Sequence, residues 1–252
     1  MSPIDFGRPV GVRERRYATA AELVAALSDD IALHLANGIA ERGVASLVVS
    51  GGRTPIELFR ALRREDLDWS CVQVTLADER WVEPADGASN EGLVRRELLV
   101  DDAARARFVP LKMNAPTPQQ GAAAAWAGIA SMAQPFDYVV LGMGEDGHTA
   151  SLFPGSPGVL AALDPRARPG CVAMSSPAPP NARLSLNLAA LAHSRRAVVH
   201  LTGEEKWEVY RDAARRAADA DQAAAGAVVP GLPPIGAMLR LRPRAPQVWW
   251  SP

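Results

Sequence analysis

The chain has 252 residues, with 27 Lys and Arg against 28 Asp and Glu, for a net charge of −1. That balance gives no electrostatic reason to expect nucleic acid or a membrane surface as a partner. An apolar content of 48% suffices for a sizeable core, and no composition shift divides the chain, so one α/β domain over 1–252 is expected.

Cys71 and Cys171 lie far apart and each opens an apolar run, which predicts buried free thiols in a reducing cytosol rather than a disulfide or metal site. No apolar run approaches the length of a membrane span. Near the N-terminus Arg8, Arg13, Arg15 and Arg16 mix with Asp5 and Glu14, with no apolar signal-peptide core. A cytoplasmic protein is expected.

In chain order, residues 8–17 predict an irregular strand around Val10 and Val12. Thr19 is placed to cap a helix running to Arg42, with Leu23, Leu27, Ile31, Leu35 and Ile39 on one face and Gly43 as its stop. Ala45–Val49 reads as a buried strand ending in Ser50-Gly51-Gly52-Arg53-Thr54-Pro55. Pro55 suits the start of a helix. A strand, a glycine turn and a helix start make an anion site, although a plain capped turn reads the same way. The Walker lysine is missing, so a nucleotide P-loop is not supported.

Val72–Ala77 predicts the next strand, followed by Asp78-Glu79-Arg80-Trp81-Val82. Three charges at a strand end read as a solvated loop or as a site, and the residues alone leave both open. A helix is expected from Ser89-Asn90 to Val100, a short strand over Phe108–Leu111, and a capped, alanine-rich helix after Thr117.

Phe136 to Pro157 carries the densest signal. Tyr138–Leu141 is an unbroken apolar run, as in a strand covered on both faces. Gly142, Gly144 and Gly147 follow, with Asp146 and His148 among them. A glycine loop at a strand's C-terminal end is where open α/β sheets bind ligands. The letters also satisfy G-x-G-x-x-G, but Phe153-Pro154-Gly155 blocks the helix a dinucleotide site needs, and Asp164 precedes Pro165 instead of closing a strand.

Beyond it, Cys171–Met174 predicts a strand, and Leu184, Leu186 and Leu188 alternate as in a half-buried one. Ala197–Leu201 is another, followed by Thr202-Gly203-Glu204-Glu205-Lys206 opening a helix to Ala218. A Gly/Pro-rich loop over 226–236 leads to a short turn at Ile235–Leu239, and Gln247–Trp250 closes the sheet. Strands alternating with helices predict a Rossmann-like three-layer αβα arrangement with a mainly parallel sheet.

Six motifs, SGGRTP at 50–55, DERWV at 78–82, SNEGLVRREL at 89–98, LGMGEDGHTASLFPGS at 141–156, RLSL at 183–186 and TGEEK at 202–206, stand in one order over most of the chain. In this the chain resembles the 6-phosphogluconolactonase family, within the group that includes glucosamine-6-phosphate isomerase/deaminase. The resemblance implies a carboxylic ester hydrolase that opens 6-phospho-D-glucono-1,5-lactone in the pentose phosphate pathway, with no metal and no cofactor.

By resemblance, Gly51, Gly52, Arg53 and Thr54 cradle the phosphate, aided by Arg183 and Lys206. His148 is the general base toward water, and an imidazole, ordinarily titrating near 6.5, suits that task at neutral pH. Asp146 orients that ring or only holds the loop, Arg80 stabilises the oxyanion, and Asp78 and Glu79 position Arg80 and nearby backbone. Arg53 could contact phosphate or point away.

Two rivals remain. An amino-sugar-phosphate isomerase/deaminase needs a carboxylate base, which Asp78 could supply. By resemblance, however, its loop carries an acid soon after the histidine, where this chain has Leu152-Phe153-Pro154-Gly155. A non-catalytic sugar-phosphate sensor would keep the clamp, but about 18 residues ahead of the first helix are too few for a helix-turn-helix. The expected partner is a small sugar-phosphate lactone, and the chain itself a monomer or small homo-oligomer.

Overall fold

A computed structural model describes residues 12–223, 228–242 and 244–252. The chain enters through β1 (Glu14–Arg16) and α1 (Ala20–Arg42). Thr19 accepts a hydrogen bond from the Glu22 amide at the start of α1, and Gly43, at φ 74°, ends it in the left-handed conformation. Then come β2 (Ala45–Val49), α2 (Ile56–Leu62), β3 (Val72–Leu76), β4 (Asp78–Arg80), α3 (Asn90–Glu97) and β5 (Arg107–Phe108). The second half holds α4 (Pro118–Ala130), β6 (Tyr138–Leu141), α5 (Val159–Ala162), β7 (Cys171–Ser175) and β8 (Ala182–Leu186). It closes with α6 (Leu188–Ala192), β9 (Ala197–Thr202), α7 (Glu204–Ala223), α8 (Pro234–Leu239) and β10 (Gln247–Ser251).

Seven strands form one parallel sheet in the order β1-β10-β9-β6-β2-β3-β5, flanked by helices. Central strands β2 and β6 are buried along their whole length, as their unbroken apolar runs predict. From β2 the chain steps outward through β3 to β5, then returns to lay β6 on β2's other side before moving out through β9 and β10. The crevice between the C-terminal ends of β2 and β6 is therefore the topological switch point, the place where open α/β sheets take ligands.

Several boundaries differ from the sequence expectation. The Asp78–Arg80 run is no solvated loop, because β4, β8 and β7 form a separate three-stranded antiparallel sheet that buries Asp78 and Glu79. Nor is β8 half-buried, since Arg183 to Leu186 are all covered, and Leu188 belongs to α6, which Asn187 caps. Helix α3 stops at Glu97 and α7 runs on to Ala223. Among the described residues of the expected 8–17 strand, Glu14–Arg16 forms one; residues 8–11, Val10 included, lie outside the described residues, as does part of the 226–236 loop. Both cysteines are free but half-buried, and burial pushes the Cys171 thiol up to about 12.

Against the expectation of no span-length apolar run, α1 is long and apolar enough to cross a membrane. Its apolar stripe is committed elsewhere, because Leu23, Leu27, Ile31 and Leu35 are fully buried in the apolar core. Asp30 ties the same helix to the sheet through Arg196 and the Tyr138 hydroxyl. That is the pattern of a core helix.

Candidate active site

A cleft of about 250 Å³ opens at the switch point. Its first wall is the turn after β2. Gly52 stands at φ 94°, a conformation that side chains disfavour. Gly51 leaves room for Asn90, whose Oδ1 would lie 1.9 Å from any Cβ added there. Gly51, Gly52, Arg53 and Thr54 all line the cleft, and Arg53 does so as an exposed side chain. Opposite them, the first turn of α7 brings in Lys206.

The loop after β6 supplies His148. Asp146 Oδ1 accepts a hydrogen bond from the His148 amide at 3.0 Å and lies 2.5 Å from its Nδ1. The carboxylate thus both folds the loop and fixes the ring, and a proton held on Nδ1 leaves Nε2 as the basic nitrogen. Phe153 packs against the imidazole with centroids 4.6 Å apart. At Gly144 an added Cβ would lie 2.1 Å from His148 Cε1, so the ring rests on bare backbone there. His148 lines the cleft, whereas Asp146 does not. The Pro233–Ile235 segment closes over the loop, with the Ile235 amide donating to the Gly147 carbonyl.

Charged residues of β4 divide their work. The Glu79 carboxylate accepts from the amides of Arg80, Asn90 and Glu91 and from the Ser89 hydroxyl, so it caps α3 from inside. Burial pushes its carboxyl up, and those backbone donors oppose the shift. Asp78 Oδ2 accepts from Ser151 at 2.5 Å, and the Asp78 carbonyl accepts from Asn90 Nδ2. Asp78 and Arg80 face the cleft, and Arg80 is anchored by donating to the Ala88 carbonyl.

Arg183 sits across from Arg80 in the β4–β8 ladder, only 6% exposed, and does not itself line the cleft. Its Nε and Nη1 find no hydrogen-bond partner. Burial and the Arg80 charge lower its pKa, with Asp78 and Glu79 opposing. A buried guanidinium with unspent donors is poised toward an anion.

All of the sequence-derived residues except Glu79, Asp146 and Arg183 therefore line one cleft, while Asp146 holds His148 and Arg183 pairs with Arg80 in the β4–β8 ladder. Three lining residues with polar side chains escaped the sequence reading as site residues: Ser50, Asn90 and His200. Ser50 Oγ, Asn90 Oδ1 and both His200 nitrogens are buried without a partner. The signal for His200 was a histidine interrupting an apolar strand at its C-terminal end. Among the described residues no three His, Cys, Asp or Glu side chains group as a metal site.

The fold agrees with comparisons to known proteins. The model of the glucosamine-6-phosphate isomerases/6-phosphogluconolactonase family matches residues 18–233. A 6-phosphogluconolactonase of Rhizobium meliloti is 44% identical over 230 residues, 91% of this chain and 94% of that protein. One from Pseudomonas aeruginosa is 44% identical over 79% of this chain and 83% of its own length. The crystal structure of a 6-phosphogluconolactonase from Shewanella baltica superposes with a TM-score of 0.88 at 41% identity, over 98% of this chain and 100% of that one. The chain belongs to the glucosamine-6-phosphate isomerase/6-phosphogluconolactonase family.

Proposed function

We propose that the protein hydrolyses 6-phospho-D-glucono-1,5-lactone to 6-phospho-D-gluconate, in the cytoplasm and without a metal. The observation that carries this reading is the convergence of an Asp146-bound imidazole, a glycine turn and Lys206 on one cleft. A phosphorylated lactone has an anion at one end and an electrophilic ester carbonyl at the other, and the cleft offers a cationic grip and a base.

The phosphate sits against the Gly51–Thr54 turn with Lys206, and Arg183 supplies its unspent donors from behind. Water attacks the C1 carbonyl carbon while His148 Nε2 takes its proton, and Asp146 steadies the resulting imidazolium. Negative charge grows on the carbonyl oxygen, where Arg80 stabilises it. When the tetrahedral intermediate collapses, the bond from C1 to the ring oxygen breaks. That oxygen receives the proton from the imidazolium and leaves as the C5 hydroxyl. Charge on the oxyanion is met by a guanidinium, so no step calls for a Lewis acid.

The amino-sugar isomerase reading keeps one support, the Asp78 carboxylate in the cleft. Against it, Ser151 already binds that carboxylate and no acid follows His148 before Asp164. A pH-stat assay with freshly made lactone, run beside one with glucosamine 6-phosphate and each repeated with EDTA, separates these readings. Chelator-insensitive turnover of the lactone alone is the expected result. Turnover of the amino sugar phosphate alone would select the isomerase, and turnover of neither would select a sensor.

A further inference from the structure

His200 is a histidine that the proposed reaction does not use. It lies on β9, in register with Trp249 of β10 and one residue past the last β6–β9 pair, Leu141 with Val199. That places it at the C-terminal edge of the sheet, on the cleft wall. It is only 3% exposed, and neither ring nitrogen has a hydrogen-bond partner. Structural histidines in a core bond at least one nitrogen, because an unmade hydrogen bond in a buried place is destabilising. The neighbours on β9, Val198, Val199 and Leu201, show that the strand would accept an aliphatic side chain here.

Burial, aided by the Lys206 charge, pushes the imidazole down to about 4, so it is neutral at working pH. A neutral imidazole offers one donor and one acceptor. A hydroxyl group has the matching pair, whereas a phosphate dianion offers acceptors only and is already served by Lys206 and Arg183. The two other unpartnered groups in the same wall, Ser50 Oγ and Asn90 Oδ1, are likewise neutral. The cleft therefore carries a neutral set beside its cationic one.

Resting on the lactonase reading, we propose that His200 is a specificity residue that hydrogen-bonds a hydroxyl on the carbon chain of the bound sugar-acid lactone. It selects the polyol portion of the substrate, while the cations select its phosphate.

The test compares wild type, His200→Leu and His200→Gln on the phosphorylated lactone, on its 2-, 3- and 4-deoxy analogues, and on the unphosphorylated lactone. On the full substrate His200→Leu should lower kcat/KM by roughly tenfold to a hundredfold. His200→Gln, which keeps a donor and an acceptor, should recover most of it. One deoxy analogue should be poor with wild type yet no poorer with His200→Leu. If the leucine variant does not fold, His200→Phe carries the same comparison.

An active wild type with an unaffected leucine variant overturns the inference alone. So does a penalty that is equal across all deoxy analogues, and one that vanishes only without the phosphate would reassign the contact to the anion. A wild type inert on the lactone overturns the functional reading itself, and the inference with it.

Discussion

The two edges of the parallel sheet bury similar polar side chains and treat them in opposite ways. At the N-terminal edge, Asp137 accepts from Arg42 at 2.5 Å and from the Ser46 amide at 2.9 Å, with Arg195 3.6 Å away. Beside it, Asp30 takes Arg196 and the Tyr138 hydroxyl, and burial followed by Asp30 raises the tyrosine pKa. Apart from Arg42 Nε, these groups are spent on one another. At the C-terminal edge, Ser50, Asn90, Arg183 and His200 stay buried with unspent donors or acceptors. Buried polar atoms without partners are uncommon because they lower stability. Their concentration at one edge marks the ligand's place more sharply than the depth of the cleft does.

Substitutions at the two edges should accordingly fail in different ways. Asp137→Ala strands the Ser46 amide and takes the buried carboxylate from Arg42 and Arg195, which keep Glu41, and should cost about 2–4 kcal/mol of stability. Turnover by the protein that remains folded should not change. Urea unfolding read beside kcat/KM checks this, and a loss of kcat/KM at undiminished stability would break the division between the edges.

The smaller effect concerns pH. The folded His200 imidazole titrates near 4, below the ordinary 6.5 of the unfolded chain. The unfolded state therefore binds the proton first, and stability present above pH 6.5 is lost as pH falls through about 4. Between pH 7 and pH 4 wild type should lose about 2–3 kcal/mol more than His200→Leu. Denaturant unfolding at both pH values measures the difference, and parallel losses would show that His200 is not held neutral.

Much of this was legible in the chain. Thr19 and Gly43 bracket α1 because capping is local chemistry, and the apolar runs at β2 and β6 could only be covered strands. The glycine turn and the histidine loop announced themselves through residues that backbone geometry demands. What stayed hidden depends on partners distant in sequence. The residues alone left Glu79 as either solvated charge or part of a site, and only the amides of α3, eleven and twelve residues on, show what satisfies it. Leu188 kept the alternation of a strand although Asn187 starts a helix there. His200 stood out as a histidine in an apolar strand, but no sequence pattern says whether a ring nitrogen will find a partner.

The proposed hydrolysis rests on the imidazole fixed by Asp146. The most direct measurement is turnover of freshly prepared 6-phosphogluconolactone by wild type and His148→Ala, corrected for spontaneous hydrolysis, with thermal unfolding confirming that both are folded. A fall in kcat of roughly 10²–10⁴ is predicted. A folded His148→Ala protein that turns over the lactone at nearly the wild-type rate would contradict it.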